Sequence, residues 1–337
     1  MPKKNKNGPF RVAVIGAGRI SKFHFIAWRD TEDAEVVAVC DMNLDQAKAR
    51  AKEFGIPKAY ASLAELLDHE EVDALDIATP PASHAELLRL AAERGIDCLC
   101  QKPLAPNYEE AKAIVAEIAP KVRLAVNENR RYLPYYRTAR QWIAEGLIGT
   151  VQQVSMTAFR ASFFPGPDGK YSGTPALVKG PRLFVGETLI HQIDALRSMI
   201  GDLVPIASRT RNTEAALEGD TLCTMMMETP DGAPVVLSGS AVVVGYPEGF
   251  NDKFEILGSK GSITWDGDTL RLLGPEPRED RIPMRERYDE MYQSCFTIIA
   301  GNFKDAIEND RPFESEAEDN LETVRVTEEA YRLSGTG

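Results

Sequence analysis

The stretch Val12-Ala-Val-Ile-Gly-Ala-Gly-Arg-Ile-Ser21 predicts a buried strand, a tight turn and the start of a helix. Phe10 to Ile15 is a short apolar run followed by glycine, which is typical of a strand buried on both faces. Gly16 permits the turn, and a helical pattern begins at Lys22. Such a turn directs free backbone N–H groups and the positive end of a helix dipole at one point, where a pyrophosphate group can bind.

The glycine motif alone is incomplete, because its third position is Ser21. Its context favours a dinucleotide site. A second apolar run, Glu35 to Cys40, ends in Asp41, at roughly the 20-residue distance where an acidic side chain binds an adenosine ribose. A glycine turn that only reverses the chain is the alternative. The predicted cofactor contacts in this segment are Gly16, Gly18, Arg19, Ile20 and Asp41.

Asp41 also bears on the choice of cofactor. A carboxylate repels the 2′-phosphate of NADP, and no arginine or lysine directly follows Asp41 in the sequence. The sequence therefore favours NAD over NADP.

Composition limits the classes of partner. The 337 residues are 43% hydrophobic and 27% charged, as in ordinary folded proteins, and they allow two domains. The net charge of -12 repels nucleic acid and anionic membrane surfaces, which favours small-molecule ligands. The basic first residues lack the apolar segment of an export signal and no apolar run reaches membrane-spanning length, so we expect a cytoplasmic protein.

The five cysteines indicate reduced, buried thiols. Their number is odd, and most of them lie in apolar, strand-like runs. Cys98 and Cys100 fall on one face of a predicted strand, but no further cysteine or histidine cluster completes a metal site. We therefore expect no bound metal.

Strand and helix patterns alternate through the first third of the chain, which predicts a parallel sheet with helices on both faces. From about Asn127 onward the pattern changes to successive strands joined by short Gly, Pro and Asp turns, which predicts a largely antiparallel sheet. We therefore predict an α/β protein with a Rossmann dinucleotide-binding domain at residues 1–126 and a second α/β domain with a large open sheet at residues 127–337.

Lys102 is the residue with reactive potential in the first domain. In an open parallel sheet the ligand lies beyond the carboxyl ends of the strands, so residues there meet whatever their distance in sequence. Pro103 restricts the backbone of Lys102 and so limits where its ammonium group reaches. Taken alone, a lysine at a strand end is more often a solvated residue. Thr79, Pro80, Gln101 and Asn129 also lie at strand ends, and we predict that they contact the cofactor together with Lys102.

A second candidate site lies on the predicted helix Gly186 to Ile200. At helical spacing, Glu187, His191 and Asp194 fall on one side with apolar residues roughly opposite, so the polar side is expected to face a cleft. A carboxylate one turn before a histidine orients the imidazole for general acid–base chemistry. A surface histidine with ordinary helical neighbours is the alternative.

A long segment rich in glycine and proline, Phe164 to Phe184, interrupts the second domain. Such a loop either contacts substrate or forms a solvated connection, and the sequence leaves both open. Arg160, Phe163 and Tyr171 are candidate substrate contacts from their position alone.

Five motifs together resemble the glucose-fructose oxidoreductase, inositol dehydrogenase and rhizopine catabolism family (Gfo/Idh/MocA) over nearly the whole chain. The resemblance implies an N-terminal Rossmann domain, a C-terminal domain for substrate binding and oligomerisation, and nicotinamide-dependent oxidation or reduction of sugars and cyclitols. It also implies a homodimer or homotetramer with the open sheet as the interface. The motifs are Gly16-Ala-Gly-Arg-Ile-Ser21 with His24, Ala78-Thr-Pro-Pro-Ala-Ser-His84, Gln101-Lys-Pro103, Asn129-Arg-Arg131 and the helix with Glu187, His191 and Asp194.

The resemblance implies roles for single residues. The family's Glu-Lys-Pro motif maps onto Gln101, Lys102 and Pro103, so Lys102 acts at the reacting hydroxyl. The family's Asp-x-x-x-His pair maps onto Glu187 and His191, which makes His191 the proton acceptor. Gln101 lacks the family's carboxylate and Glu187 is one methylene longer than aspartate, so the substrate cannot be copied from a standard member. Of the other matching positions, Asp194 resembles a substrate-hydroxyl ligand, and Thr79, Pro80, His84 and Asn129 line the cofactor.

The sequence thus predicts an NAD-dependent dehydrogenase that transfers hydride between the cofactor and a sugar or cyclitol. One alternative is an NAD-dependent glycosidase that works by transient oxidation and elimination, which would release free sugar without net NADH. A second alternative is a non-catalytic sensor of NAD and sugar. The joint presence of Lys102 and His191 argues against the sensor, since binding alone requires neither.

Overall fold

A computed structural model of the chain describes residues 8–160, 180–246 and 250–335. The chain divides into two units, of which the first contains the chain up to Asn129 together with Tyr292–Leu321. The second contains Arg130–Met291 and the chain from Glu322 onward. The second domain predicted at residues 127–337 is continuous, so the return of Tyr292–Leu321 to the first unit differs from that prediction.

The first unit contains a six-stranded sheet. Its strands are β1 (Phe10–Ile15), β2 (Ala34–Cys40), β3 (Lys58–Tyr60), β4 (Ala74–Ile77), β5 (Asp97–Gln101) and β6 (Leu124–Asn127). All neighbours are parallel, in the order β3-β2-β1-β4-β5-β6. The strand order reverses between β1 and β4, which makes the carboxyl ends of these two strands the expected ligand crevice.

Five helices connect these strands, and their ends follow from local sequence. They are α1 (Ser21–Arg29), α2 (Leu44–Phe54), α3 (Leu63–His69), α4 (His84–Glu93) and α5 (Tyr108–Ile118). The side chains of Asn43, Ser62 and Asn107 accept hydrogen bonds from backbone N–H groups in the first turns of α2, α3 and α5. The short strand β3 was not predicted, because three residues carry no readable periodicity.

The segment that returns to the first unit packs through aromatic and backbone contacts. Phe296, in α8 (Tyr288–Asn309), stacks on Phe23 with ring centroids 5.2 Å apart. Gln293 Nε2 donates to the Phe23 carbonyl oxygen at 3.0 Å. The Val126 N–H donates to the Ser315 carbonyl oxygen at 2.8 Å. These contacts explain why the first unit is discontinuous in sequence.

The second unit contains an eight-stranded sheet. Its strands are β7 (Val151–Arg160), β8 (Val204–Arg211), β9 (Leu222–Glu228), β10 (Pro234–Ser240), β11 (Phe250–Gly258), β12 (Ser262–Trp265), β13 (Thr269–Leu273) and β14 (Arg278–Arg281). They lie in the order β14-β13-β12-β11-β7-β10-β9-β8. Within this sheet only β7 and β10 pair in parallel, and the other neighbouring strands are antiparallel, so the predicted fold class is confirmed.

One face of this sheet is covered by helices. On α6 (Pro134–Ala144), Tyr135 stacks on Trp265 with ring centroids 4.5 Å apart, and Tyr136 stacks on Phe254 at 5.8 Å. The helix α7 (Ile190–Ile200) is buried along almost its whole length and follows a π-helical turn at Val185–Leu189. The last helix is α9 (Ala317–Ser334).

All five cysteines are buried and carry free thiols, as expected. Burial raises the pKa of the Cys40 and Cys223 thiols to about 12, so both are unreactive at neutral pH. Over the three described ranges, every helix is too short or too polar to span a membrane.

Candidate active site

The turn after β1 approaches the end of β4 very closely at Gly16. Its φ is +107°, and a Cβ atom added there would lie 2.6 Å from the Ala78 carbonyl oxygen, so only glycine fits. A Cβ atom added at Gly18 would meet no described atom within 4 Å, which leaves space for a ligand. The helix α1 follows Ile20, where no side chain caps its first N–H groups. These N–H groups can therefore bind an anion such as pyrophosphate.

Asp41 follows β2 and lies beside this turn. Its Oδ2 atom accepts a hydrogen bond from the Ala17 N–H at 2.8 Å, and its Oδ1 atom accepts one from the Asn43 N–H at 2.8 Å. The buried Arg50 holds the turn from α2 by donating to the carbonyl oxygens of Ala17 and Gly18 at 2.9 and 2.8 Å. Sequence analysis missed Arg50, because its partner atoms are backbone carbonyls that no motif records.

The loop after β4 presents a half-buried Thr79 and an exposed Pro80. His84 is fully buried, with Nε2 2.9 Å from the Thr79 carbonyl oxygen and Nδ1 3.0 Å from the Leu104 carbonyl oxygen. Burial lowers the pKa of His84, and the backbone contacts only partly oppose this effect. His84 thus lies between two loops and faces a carbonyl oxygen of each, with one N–H to donate when neutral, whereas the resemblance implied that it lines the cofactor.

Lys102 directly follows β5 and is half-buried. Its backbone N–H donates to Gln101 Oε1 at 2.7 Å, and its peptide bond to Pro103 is cis. The amide nitrogen of Gln101 lies 3.1 Å from His24 Nε2. Both polar atoms of the Gln101 side chain therefore contact groups of the protein itself.

Sequence analysis gave no role to the next residues in this network. Asp76 is buried in β4, and its carboxylate accepts hydrogen bonds from His24 Nδ1 at 2.9 Å and from Trp28 Nε1 at 2.6 Å. The signal was present, since Asp76 is a charged residue inside the apolar strand Ala74–Ile77. A buried carboxylate requires donors, and the adjacent helix α1 supplies them.

The first unit fits a dinucleotide. Two buried polar atoms, Asn127 Oδ1 at the end of β6 and Asn129 Nδ2 just after it, find no hydrogen-bond partner within the described residues. Asn129 is one of the predicted cofactor contacts, and such an amide can bind a polar group of the nicotinamide half. Gly18, Asp41 and the uncapped start of α1 can hold the pyrophosphate and the ribose. When bound, the nicotinamide ring supplies a hydride acceptor.

The second unit carries the candidate proton acceptor. His191 is buried in the first turn of α7, and Glu187 is half-buried in the preceding π-helical turn. A π-helical turn has more residues per turn than an α-helix, so the angular offset between Glu187 and His191 differs from that of a plain α-helix. π-helical turns occur frequently at functional sites.

Asp194 is fully buried in α7. Arg131 donates to it from Nε at 2.7 Å and from Nη2 at 2.5 Å, and Thr323 donates from Oγ1 at 3.1 Å. The expectation of a polar helix side facing a cleft is therefore wrong for Asp194, because a buried partner satisfies its charge. The role of Asp194 as a substrate ligand stays a prediction, and a substrate hydroxyl would have to compete with Arg131.

Arg160 ends β7 and is also buried. Its Nη1 atom lies 2.5 Å from Asp252 Oδ1, while Tyr136 and Gln192 donate to Asp252 Oδ2 at 3.1 and 3.0 Å. Asp252 therefore pairs with one nitrogen of the guanidinium that was a candidate for substrate binding. Phe163 and Tyr171, the other candidates from position, lie outside the described residues.

A glycine turn, an acidic residue after β2 and an open helix start at a doubly wound sheet identify a dinucleotide-binding protein. Comparison with known families agrees. The oxidoreductase family with an NAD-binding Rossmann fold (GFO/IDH/MocA) matches residues 10–128, and its C-terminal domain matches residues 136–264. The chain belongs to the GFO/IDH/MocA family.

Individual relatives match over nearly the full chain. D-apiose dehydrogenase of Paraburkholderia graminis is 30% identical over 97% of this chain and 88% of the relative. Inositol 2-dehydrogenase of Rhizobium meliloti is 26% identical over 96% of each. A crystal structure of an oxidoreductase from Agrobacterium radiobacter with NAD+, L-tartaric acid and magnesium superposes with a TM-score of 0.87, at 26% identity over 97% of this chain and 96% of that one.

These matches confirm the predicted family and the predicted cofactor, NAD. The protein is an NAD-dependent oxidoreductase. The residues assigned to catalysis stay predictions.

A Gly18→Ala variant tests the cofactor turn. Its methyl group points into space that is open in the protein, so the melting temperature should be unchanged, whereas the methyl group blocks close approach of the phosphates. NAD affinity by calorimetry should fall roughly tenfold or more, about 1.4 kcal/mol of binding free energy. Gly16→Ala is the contrasting variant and should lower the melting temperature. Wild-type NAD affinity in Gly18→Ala would contradict the assigned turn.

His84 predicts how stability depends on pH. Its folded-state pKa lies below the ordinary value of 6.5, so the unfolded chain binds the proton more readily. The free energy of unfolding should therefore fall as pH drops below 6.5, by up to about 1.4 kcal/mol per pH unit from this group. Urea unfolding of wild type and His84→Gln at several pH values isolates the contribution. His69→Gln, at an exposed site, should keep the wild-type slope, and an equal slope in His84→Gln would refute the assignment.

Proposed function

We propose that the protein oxidises a secondary or anomeric alcohol of a monosaccharide or cyclitol with NAD. The observation that carries the proposal is the position of Lys102 directly after β5, at the sheet edge that also carries Gly16 and Asp41. Relatives named D-apiose dehydrogenase and inositol 2-dehydrogenase support the substrate class. They are named dehydrogenases, which favours this proposal over a glycosidase or a sensor.

The proposed roles follow from the chemistry of the side chains. His191 accepts the proton of the reacting hydroxyl, and Glu187 orients the imidazole. The Lys102 ammonium stabilises the negative charge that develops on the alkoxide oxygen. General acid–base help of this kind contributes about 10²- to 10⁴-fold in rate. Hydride transfer to NAD requires no further charged group from the chain.

Substituting the two proposed catalytic residues tests the mechanism. Lys102→Met and His191→Asn should each lower kcat by about 10²- to 10⁴-fold. The first removes the ammonium proposed to stabilise the alkoxide, and the second removes the proposed proton acceptor. NAD affinity should stay near the wild-type value. Lys112→Met, at an exposed site on α5, is the matched control and should keep full activity. A wild-type kcat in the Lys102→Met variant would contradict the proposed mechanism.

Identifying the substrate requires a panel of aldoses, cyclitols and sugar acids incubated with NAD while NADH absorbance is followed. Release of free sugar from glycosides without net NADH would support the glycosidase alternative instead. Binding of NAD and sugar with no turnover on the whole panel would support the sensor alternative.

We propose further that the open sheet face joins copies of the chain into a homodimer or homotetramer. Apolar side chains on neighbouring strands of that face are exposed, and Met226 pairs directly with Val236 across β9 and β10. Val204 and Ile206 continue the exposed apolar surface on β8. An apolar surface of this kind on a sheet marks an interaction site.

Charged substitutions on this face test the assembly. Met226→Glu and Val236→Glu should lower the sedimentation coefficient, because each places a charge in the proposed interface. Met42→Glu is the control, since Met42 is 96% exposed in the other unit and should leave the sedimentation coefficient unchanged. A wild-type protein that sediments as a monomer would contradict the proposal.

A cytoplasmic location is also part of the proposal. It is supported by the five free, buried thiols, which are typical of a reducing compartment.

A further inference from the structure

The hydrogen bonds around Gln101 allow one arrangement of protons. The backbone N–H of Lys102 can only donate, so the Gln101 atom 2.7 Å from it is the carbonyl oxygen Oε1. The amide NH₂ group of Gln101 then faces His24, 3.1 Å from its Nε2 atom. Because an amide NH₂ group only donates, Nε2 of His24 must be an acceptor that carries no proton.

The other side of the His24 ring agrees with this arrangement. Nδ1 lies 2.9 Å from both carboxylate oxygens of Asp76, one of which also accepts from the Trp28 indole at 2.6 Å. A carboxylate only accepts, so Nδ1 carries the proton. His24 is therefore the neutral Nδ1–H tautomer. An imidazolium at this position would place two donors face to face at Gln101.

The groups around His24 come from four elements. Asp76 on β4 is the charged neighbour, and Trp28 shares α1 with His24. Gln101 approaches from β5, and the Phe296 ring of α8 packs against the imidazole with centroids 5.3 Å apart. All of them are buried, so water does not compete for these hydrogen bonds.

We propose that Asp76, His24 and Gln101 are positioning residues that fix Lys102 through this directional chain of hydrogen bonds. The donor or acceptor role of each atom determines the role of its partner, and the last hydrogen bond holds the backbone N–H of Lys102. Nδ1 of His84 lies 3.0 Å from the Leu104 carbonyl oxygen at the far end of the same loop. The positioning role rests on the proposed function of Lys102, whereas the protonation state of His24 does not.

The chain of hydrogen bonds also gives a reason for glutamine at position 101. A glutamate there could still accept from the Lys102 N–H, but its second oxygen would face Nε2 of His24. That contact requires an additional proton, carried either by Nε2 or by the glutamate carboxyl group. Glutamine keeps the same shape and supplies the donor itself, so the contact needs no additional proton.

Nitrogen-15 NMR of histidine-labelled protein with NAD bound tests the protonation state. The chain has four histidines, so a His24→Asn spectrum assigns the signal. At about pH 7 the wild-type protein should show a protonated Nδ1 and a bare Nε2 at His24. A bare Nδ1, or two protonated nitrogens in the wild-type protein at pH ~7, would overturn the assignment.

Steady-state kinetics tests the positioning role. Gln101→Met should lower kcat at least ~10-fold with an unchanged NAD dissociation constant, because the lysine backbone loses its acceptor. Gln101→Glu should retain activity at low pH and lose it as pH rises and the proton shared by the two side chains is lost, because glutamine supplies its own donor and needs no such proton. Gln152→Glu, at an exposed site on β7, controls for the added charge and should behave as wild type.

The outcomes separate the two proposals. Wild-type kcat in Gln101→Met, or a Gln101→Glu profile that matches the wild-type profile, would overturn the positioning role. If no sugar or cyclitol is turned over by the wild-type protein, the proposed function fails, while the NMR measurement still decides the protonation state of His24.

Discussion

Asp76 places a carboxylate inside a parallel sheet, and the surrounding structure depends on how that charge is satisfied. An unpaired buried charge costs several kcal/mol or more, so donors must be built around it. The helix α1 supplies them through His24 and Trp28, which fixes this helix against the sheet. The glycine turn proposed to bind NAD directly precedes α1. In the chain of hydrogen bonds, Gln101 contacts the His24 imidazole, and the Lys102 N–H donates to Gln101. One buried charge therefore ties the cofactor turn to the loop that carries the lysine.

The second unit satisfies buried charge in a different way, by direct pairing. Asp194 is met by the two-pronged guanidinium of Arg131, and Asp252 is met by Arg160 with help from Tyr136. Such pairs add little net stability relative to apolar packing, but removing one partner leaves the other as an unpaired buried charge. They therefore fix the geometry of α7 and β7 more than they strengthen the fold. His191 lies on a helix whose orientation is set by these pairs.

Local pattern predicted most strands and helices of the Rossmann unit. Alternating periodicity, the turn at Gly16 and the caps at Asn43 and Ser62 each depend on residues close in sequence, so their elements were predictable. The pairing of Arg131 with Asp194 was not predictable, since the two residues are 63 positions apart and either could face solvent as easily. The π-helical turn at Glu187 and the return of Tyr292–Leu321 were missed for the same reason. Both features are determined by contacts between residues that are distant in sequence.

The discontinuity of the first unit affects how the protein is made. A ribosome releases the strands β1 to β6 early, but the segment Tyr292–Leu321 that packs on them emerges only after nearly all of the second unit. The first unit must therefore persist during translation with the surface of Phe23 uncovered and the Val126 N–H unpaired. The nascent chain exposes apolar surface for most of its synthesis, and this surface is a natural target for chaperones that bind hydrophobic segments.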